Sequence, residues 1–157
     1  MKMSPLAKQF LTETILKASI RAPSRLNLPP NTLRIMLEQL CRVFPQAKGI
    51  EIRKLRLAGI RAEEIKPQPE TTQMILHIHG GAFFLGSMKT HRAFLSQVAA
   101  RTQMQVLHLD YPLAPESPYP EALDALADVY QVLLDQGIQA KDIILSGDYC
   151  GANLALA

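Results

Sequence analysis

Two glycine-rich corners carry the residues best suited to chemistry in this chain: His79-Gly80-Gly81-Ala82-Phe83 and Gly147-Asp148-Tyr149-Cys150-Gly151. Each follows directly on an apolar, strand-like run. The second has the spacing of a G-x-S-x-G elbow, a strained strand-to-helix turn that lifts its central side chain into a site. Its glycines let neighbouring backbone pack where a Cβ would clash. The first can present consecutive backbone N–H groups to a developing oxyanion. A helix starting at the second corner adds its N-terminal dipole to the same task. Nucleophilic attack with an oxyanion to stabilise is the chemistry that such a pair would serve. Either corner alone is most often only a turn; the weight lies in the pair, with Asp110-Tyr111-Pro112-Leu113-Ala114-Pro115-Glu116 between them.

The surrounding pattern supplies elements to position these corners. Ser4-Pro5 reads as a helix start, a capping hydroxyl followed by proline at the first helical position. Leu6, Phe10, Leu11, Ile15 and Ala18 then form one apolar stripe, ended by Ala22-Pro23. Asn31 or Thr32 opens a second helix, lined by Leu33, Leu37, Leu40 and Phe44 and stopped by Pro45. From Ile50 the period shortens to that of strands. Ile50 to Leu57 and Ile60 to Ile65 read as two strands turning at Ala58-Gly59. Lys66 to Glu70 reads as a proline-marked loop. Met74 to His79 is apolar and β-branched enough for a strand buried on both faces. Thr90 to Arg101 predicts a helix, Val106 to Leu109 a strand, Pro120 to Gln136 a long helix and Asp142 to Leu145 another strand. Strands alternating with helices imply right-handed βαβ units and a mostly parallel sheet, hence an α/β class.

Composition agrees. The chain has 157 residues, 48% of them hydrophobic and 20% charged, which suits about one globular domain rather than a disordered segment. The 17 basic and 14 acidic side chains leave a net charge of only +3 and are scattered, so a nucleic-acid partner is not expected. No apolar stretch approaches the ~20 residues of a membrane span. Lys8, Glu13 and Lys17 interrupt the N-terminal region, which therefore lacks a signal-peptide core. Two cysteines far apart, Cys41 and Cys150, are no disulfide framework and fit a reducing, cytoplasmic setting.

The two corners and the segment between them resemble the α/β-hydrolase fold. More narrowly, they are similar to the hormone-sensitive-lipase-like esterases of bacterial family IV. That family carries His-Gly-Gly-Gly, then Asp-Tyr-Arg-Leu-Ala-Pro-Glu, then Gly-Asp-Ser-Ala-Gly. The resemblance covers about Gln73 to Ala157. Residues 1–48 match the family's helical cap segment more loosely, leaving 49–157 as the N-terminal part of the hydrolase core. Its implications are hydrolysis of small carboxylic esters of short to medium acyl chain, without cofactor or metal. By position it makes 149 the nucleophile site and assigns oxyanion-hole N–H groups to Gly80, Gly81 and Cys150. His79, Asp110, Tyr111, Glu116 and Asp148 would support the loops; for the first four, ordinary hydrogen-bonded packing is the plainer reading. Gly86-Ser87 and His91 also match and read as structural, and the Cys150 side chain as small filler.

Three departures qualify this. Ala82 replaces a glycine, and Pro112 replaces an arginine. Most important, Tyr149 stands where the family has serine. A phenol is a weak nucleophile unless a base stands beside it, and its ring carries the hydroxyl past the serine Oγ position. The fold's triad order is nucleophile, then Asp or Glu, then His, yet residues 150–157 contain neither. The histidines, His77, His79, His91 and His108, all lie upstream. The helix opening at Cys150 lacks a stop signal, and an Ile143–Leu145 strand without later neighbours leaves an apolar edge. The expectation is therefore an incomplete hydrolase. A further C-terminal segment, in the same polypeptide or on a second chain, would cover that edge and bring Asp and His. Alternatives are a catalytically dead binding protein for a small apolar ligand, and a half-domain that pairs with another copy.

Overall fold

The computed structural model describes residues 28–69 and 71–157. The first expected helix, Ser4 to Ala22, lies outside the described residues. Helix α1 spans Pro30–Cys41, with proline presetting φ in its first turn. It ends short of the expected Phe44, because a residue before proline is pushed away from helical angles. The Phe44 N–H instead closes a turn on the Cys41 carbonyl (3.2 Å). Strands β1 (Ile50–Leu57) and β2 (Ile60–Pro67) form a hairpin. Both turn residues, Ala58 and Gly59, have positive φ, at 48° and 79°, as a two-residue hairpin loop requires. Pairing of Ile50 with Pro67 carries β2 two residues into the expected loop.

The remaining elements are β3 (Met74–Ile78), α2 (Met88–Thr102), β4 (Gln105–Leu109), α3 (Glu121–Asp135), a 3₁₀ turn (Ala140–Asp142), β5 (Ile143–Gly147) and α4 (Cys150–Leu156). Helix α2 starts two residues before the expected Thr90, because Ser87 and Thr90 form a reciprocal capping box. The strand order is β1-β2-β4-β3-β5. The β1–β2 and β2–β4 pairs are antiparallel, and β3 pairs in parallel with both β4 and β5.

Two apolar layers hold the helices to the sheet. On one face Ile65, Ile75 and Val106 pack with Leu95 and Ala99 of α2. On the other, Leu76, Ile78, Leu107 and Leu109 pack with Leu126, Val129 and Leu133 of α3, and Leu154 of α4 joins them. Between two strands and under two layers, β3 is buried at every residue, as its continuous apolar run demands. The chain passes from β3 to β4 on one side and then to β5 on the other. The helices following β3 and β5 thus leave toward opposite faces. The crevice between those strand ends is the topological switch point where α/β sheets bind ligands. Strand β5 is the sheet edge among the described residues, and Ile144 and Leu145 there are 50% and 47% exposed.

This burial contrast sets a stability contrast. Leu76→Ala should lower unfolding free energy by about 2–5 kcal/mol through loss of packing and an unfilled cavity. Leu145→Ala, on the open edge, should cost less than about 1 kcal/mol. Urea midpoints at constant m would show the difference.

Candidate active site

The two corners meet. The Gly80 N–H donates to Asp148 Oδ1 at 2.8 Å, and the Phe83 N–H donates to Cys150 Sγ at 3.3 Å. Neither approach tolerates a side chain on the glycines involved. A Cβ on Gly80 would strike the Asp148 carboxylate and lie 2.8 Å from its carbonyl oxygen. A Cβ on Gly151 would run into the Ile78 carbonyl at the end of β3. Close packing of α4 against that strand end is thus what the second corner's last glycine permits.

Tyr149 occupies the elbow with φ 49° and ψ −118°, and its side chain is thrust outward to 90% exposure. A non-glycine residue at such angles costs on the order of 1–3 kcal/mol and persists only where its surroundings enforce it. Here the Gly151 N–H closes the turn on the Asp148 carbonyl (2.8 Å) and the Asn153 N–H reaches the Tyr149 carbonyl (3.3 Å). Its hydroxyl has no hydrogen-bond partner among the described residues, so no base stands beside it there.

The first corner differs from expectation at one amide. Because the Gly80 N–H is occupied by Asp148, it ties the corners together rather than facing an oxyanion. The Gly81 N–H has no acceptor among the described residues. Ala82 and Phe83 both adopt left-handed φ, 53° and 66°, so the family's glycine at 82 is replaced at a cost in strain. The turn closes through the Phe84 and Leu85 N–H groups, both donating to the Gly81 carbonyl (3.1 and 2.8 Å).

Support for this geometry comes from a buried polar layer on the α2 face. The chain's four histidines gather there. His77 and His108 face each other across β3 and β4, with ring centroids 5.8 Å apart. His79 stacks on Tyr111 at 4.4 Å, and the Tyr111 hydroxyl donates to the His79 carbonyl (2.7 Å). His91 of α2 also stacks on His79, at 5.4 Å. Nε2 of His77 and Nε2 of His91 each lie 3.4 Å from Asp148 Oδ1, longer than a short hydrogen bond. Ser146 Oγ lies 3.2 Å from His77 Nδ1. Arg92 reaches from α2 to the fully buried Glu63 with a two-pronged pairing. Among the described residues no group of His, Cys, Asp or Glu is arranged to hold a metal ion.

Burial by itself would raise the Asp148 carboxyl. The imidazoles of His77 and His91 and the Gly80 amide instead hold it well below the usual carboxylate range. Burial drives His79 down to about 4, against the favourable contact of its Nδ1 with the Gly80 carbonyl. His108 is likewise held well below its ordinary value by burial and by the neighbouring His79, His91, His77 and Arg92, and neither of its ring nitrogens has a partner among the described residues.

The supporting loop residues expected from sequence do meet here. Asp110 accepts the Met88 N–H at the start of α2 (3.2 Å) and pairs with Arg61 (2.7 Å). Glu116 pairs with Arg34 of α1 (2.8 Å), a partner that carried no motif in the sequence. Cys150 is buried, its sulfur turned to Phe83. Gly86, at φ 88°, passes so close to the Gly80 carbonyl and the His79 ring that no Cβ fits.

Comparison with known proteins fits this geometry. The α/β-hydrolase fold family pattern matches residues 75–157, and the chain belongs to that family. An esterase of Acinetobacter venetianus is 66% identical over 157 residues, covering all of this chain and 52% of its own. An acetyl-hydrolase of Streptomyces hygroscopicus is 38% identical over 96 residues, covering 61% of this chain and 32% of its own. Among solved structures, an esterase of the bacterial hormone-sensitive lipase family superposes with a TM-score of 0.82 at 33% identity. It covers 99% of this chain and 51% of its own. A hormone-sensitive lipase from a metagenome library gives 0.84 at 34% identity, with 99% and 50% covered. The chain spans about half the length, or less, of these relatives. Among the described residues no helix is long and apolar enough to cross a membrane.

Two consequences can be measured. In the unfolded chain a histidine takes its proton near 6.5, whereas folded His79 does so only near 4. Below pH 6.5 the unfolded state therefore binds more protons, and stability falls as pH drops toward 4. The loss from His79 is on the order of 3 kcal/mol. His108 acts in the same direction, and Asp148 extends the loss below the ordinary carboxylate range. Urea midpoints taken between pH 7 and pH 4 should fall steadily, and a flat profile contradicts the lowering of His79 and His108. Second, Gly80→Ala should cost about 2–4 kcal/mol by forcing the corners apart, read as a lowered urea midpoint.

Proposed function

We propose that this chain provides the oxyanion and nucleophile corners of a carboxylic-ester hydrolase that works through an acyl-enzyme. The observation that supports it most is the direct joining of the two corners at the switch point, through Gly80 and Asp148 and through Phe83 and Cys150. In this reading position 149 is the nucleophile site. The N–H groups of Gly81 and Cys150 meet the negative charge of the tetrahedral intermediate. His79, Asp148 and Glu116 hold the loops and touch no substrate. The substrate is a small ester, in line with an esterase and an acetyl-hydrolase among the relatives. The reading calls for no cofactor. A segment outside these 157 residues supplies an Asp and a His, the His acting first as base and then as acid.

Tyr149 makes the chain as written a poor catalyst. Its exposed phenol has no base among the described residues and lies farther from the corner amides than a serine Oγ would. That same observation favours a second reading, in which catalysis is lost and the scaffold binds a small apolar ligand.

Hydrolysis of p-nitrophenyl butyrate by the full-length gene product separates the two. With Tyr149→Ser the ester should be turned over, and with Tyr149 the rate should be lower by about 10³-fold or more. Inactivity of both forms, with apolar ligand binding retained, overturns the hydrolase reading in favour of the receptor.

A further inference from the structure

Arg34 makes five hydrogen bonds around the first corner, and the proposed chemistry does not use it. It projects from α1 into the loops behind Gly81, and its side chain is only 18% exposed. Nε donates to the Phe84 carbonyl at 2.8 Å. Nη2 donates to the Ala114 carbonyl at 2.6 Å and to Glu116 Oε2 at 2.8 Å. Nη1 reaches Glu116 Oε1 at 3.0 Å and Asn31 Oδ1 at 2.9 Å. The planar fork is thereby filled on both edges, the arrangement for which guanidinium differs most from ammonium. The hydrogen bond from Arg34 also holds the exposed Glu116 carboxyl below its ordinary value.

The position of these acceptors matters more than their number. Phe84 belongs to the turn that closes on the Gly81 carbonyl, and the neighbouring Phe83 carbonyl accepts the Ala114 N–H at 2.9 Å. One guanidinium thus bridges the 81–85 turn and the 113–116 loop from outside. The turn it holds is strained, since Gly81, Ala82 and Phe83 run consecutively at positive φ (136°, 53° and 66°). Such a run relaxes by rotating its peptide planes unless its surroundings fix them. Position 112 is proline and supplies no guanidinium, and the one bound to the 113–116 loop is that of Arg34.

We propose that Arg34 is a positioning residue for the first corner, fixing the peptide planes around Gly81 so that its N–H can serve a developing oxyanion. The proposal rests on the ester-hydrolase reading. It joins the helix preceding the sheet to the chemistry of the first corner through hydrogen bonds to backbone carbonyls, with no contact between Arg34 and substrate.

Two measurements test it. In the full-length gene product, Arg34→Ala should speed amide hydrogen exchange at Phe84, Leu85, Ala114 and Ser117 by about tenfold or more, leaving β3 and β4 amides unchanged. In the full-length gene product carrying Tyr149→Ser, Arg34→Ala should lower kcat for p-nitrophenyl butyrate about 10- to 100-fold with little change in KM. Arg34→Lys should recover only part of both effects, since one ammonium cannot span the two loops. Unchanged exchange at those amides overturns the proposal whatever the activity. Faster exchange with kcat intact also overturns it while leaving the hydrolase reading in place. Absence of turnover with Arg34 present overturns the hydrolase reading, and this role for Arg34 falls with it.

Discussion

A single contact organises this site: the Asp148 carboxylate receiving the Gly80 N–H across the gap between the ends of β3 and β5. Parallel neighbouring strands bring their carboxyl ends to the same level, but nothing in strand pairing dictates how the following loops meet. The carboxylate does so by accepting an amide from the opposite corner while His77 and His91 approach the same oxygen. A charge-assisted hydrogen bond in a partly shielded crevice is stronger than a neutral one, and the lowered Asp148 carboxyl expresses that preference. Replacing Gly80 by any residue with a Cβ would put carbon where the carboxylate now sits. The glycine and the aspartate are therefore one requirement seen from two sides.

The histidine layer shows how unusual the surroundings of that contact are. Imidazoles that would ordinarily accept protons below neutral pH are packed edge to face and stacked, two of them without any exposure. They pack like aromatic rings, and His77 also presents its ring nitrogens toward Asp148 and Ser146. At the far end of the layer Arg92 neutralises Glu63, so the charged groups lie at the layer's two ends with imidazoles between them. Belonging to the α/β-hydrolase fold family explains the shared frame, not this local chemistry.

Most of the frame was legible in the residues. The continuous apolar run of β3, the turn at Ala58-Gly59 and the 3.6-residue periodicity of α3 each depend on neighbours close in sequence, so local pattern suffices. Boundaries were less so. Pro45 shortened α1 through a clash the stripe of leucines conceals, and the Ser87–Thr90 capping box moved the start of α2 upstream. The elbow at Tyr149 was visible from its glycine spacing, and the small side chain expected at position 150 from the family resemblance is buried. The sequence motif offers the Gly80, Gly81 and Cys150 amides alike, and that Asp148 takes up the Gly80 N–H depends on a contact between segments far apart in the chain. Arg34 carried no signal because it sits on a half-buried helix among ordinary surface residues, and its acceptors are mainly backbone carbonyls far along the chain.

What the sequence determined by itself was the alternation of strand and helix, the α/β class, and the identity of two turns whose glycines permit close backbone approach. These follow from steric limits and periodicity, which act over a few residues. Tertiary structure alone decided which amide each carboxylate captures, that four histidines scattered over residues 77–108 share one buried layer, and that α1 reaches the Gly81 turn through a guanidinium. Hydrogen bonds and burial of this kind depend on distances between segments that only chain folding sets, and no local pattern encodes them.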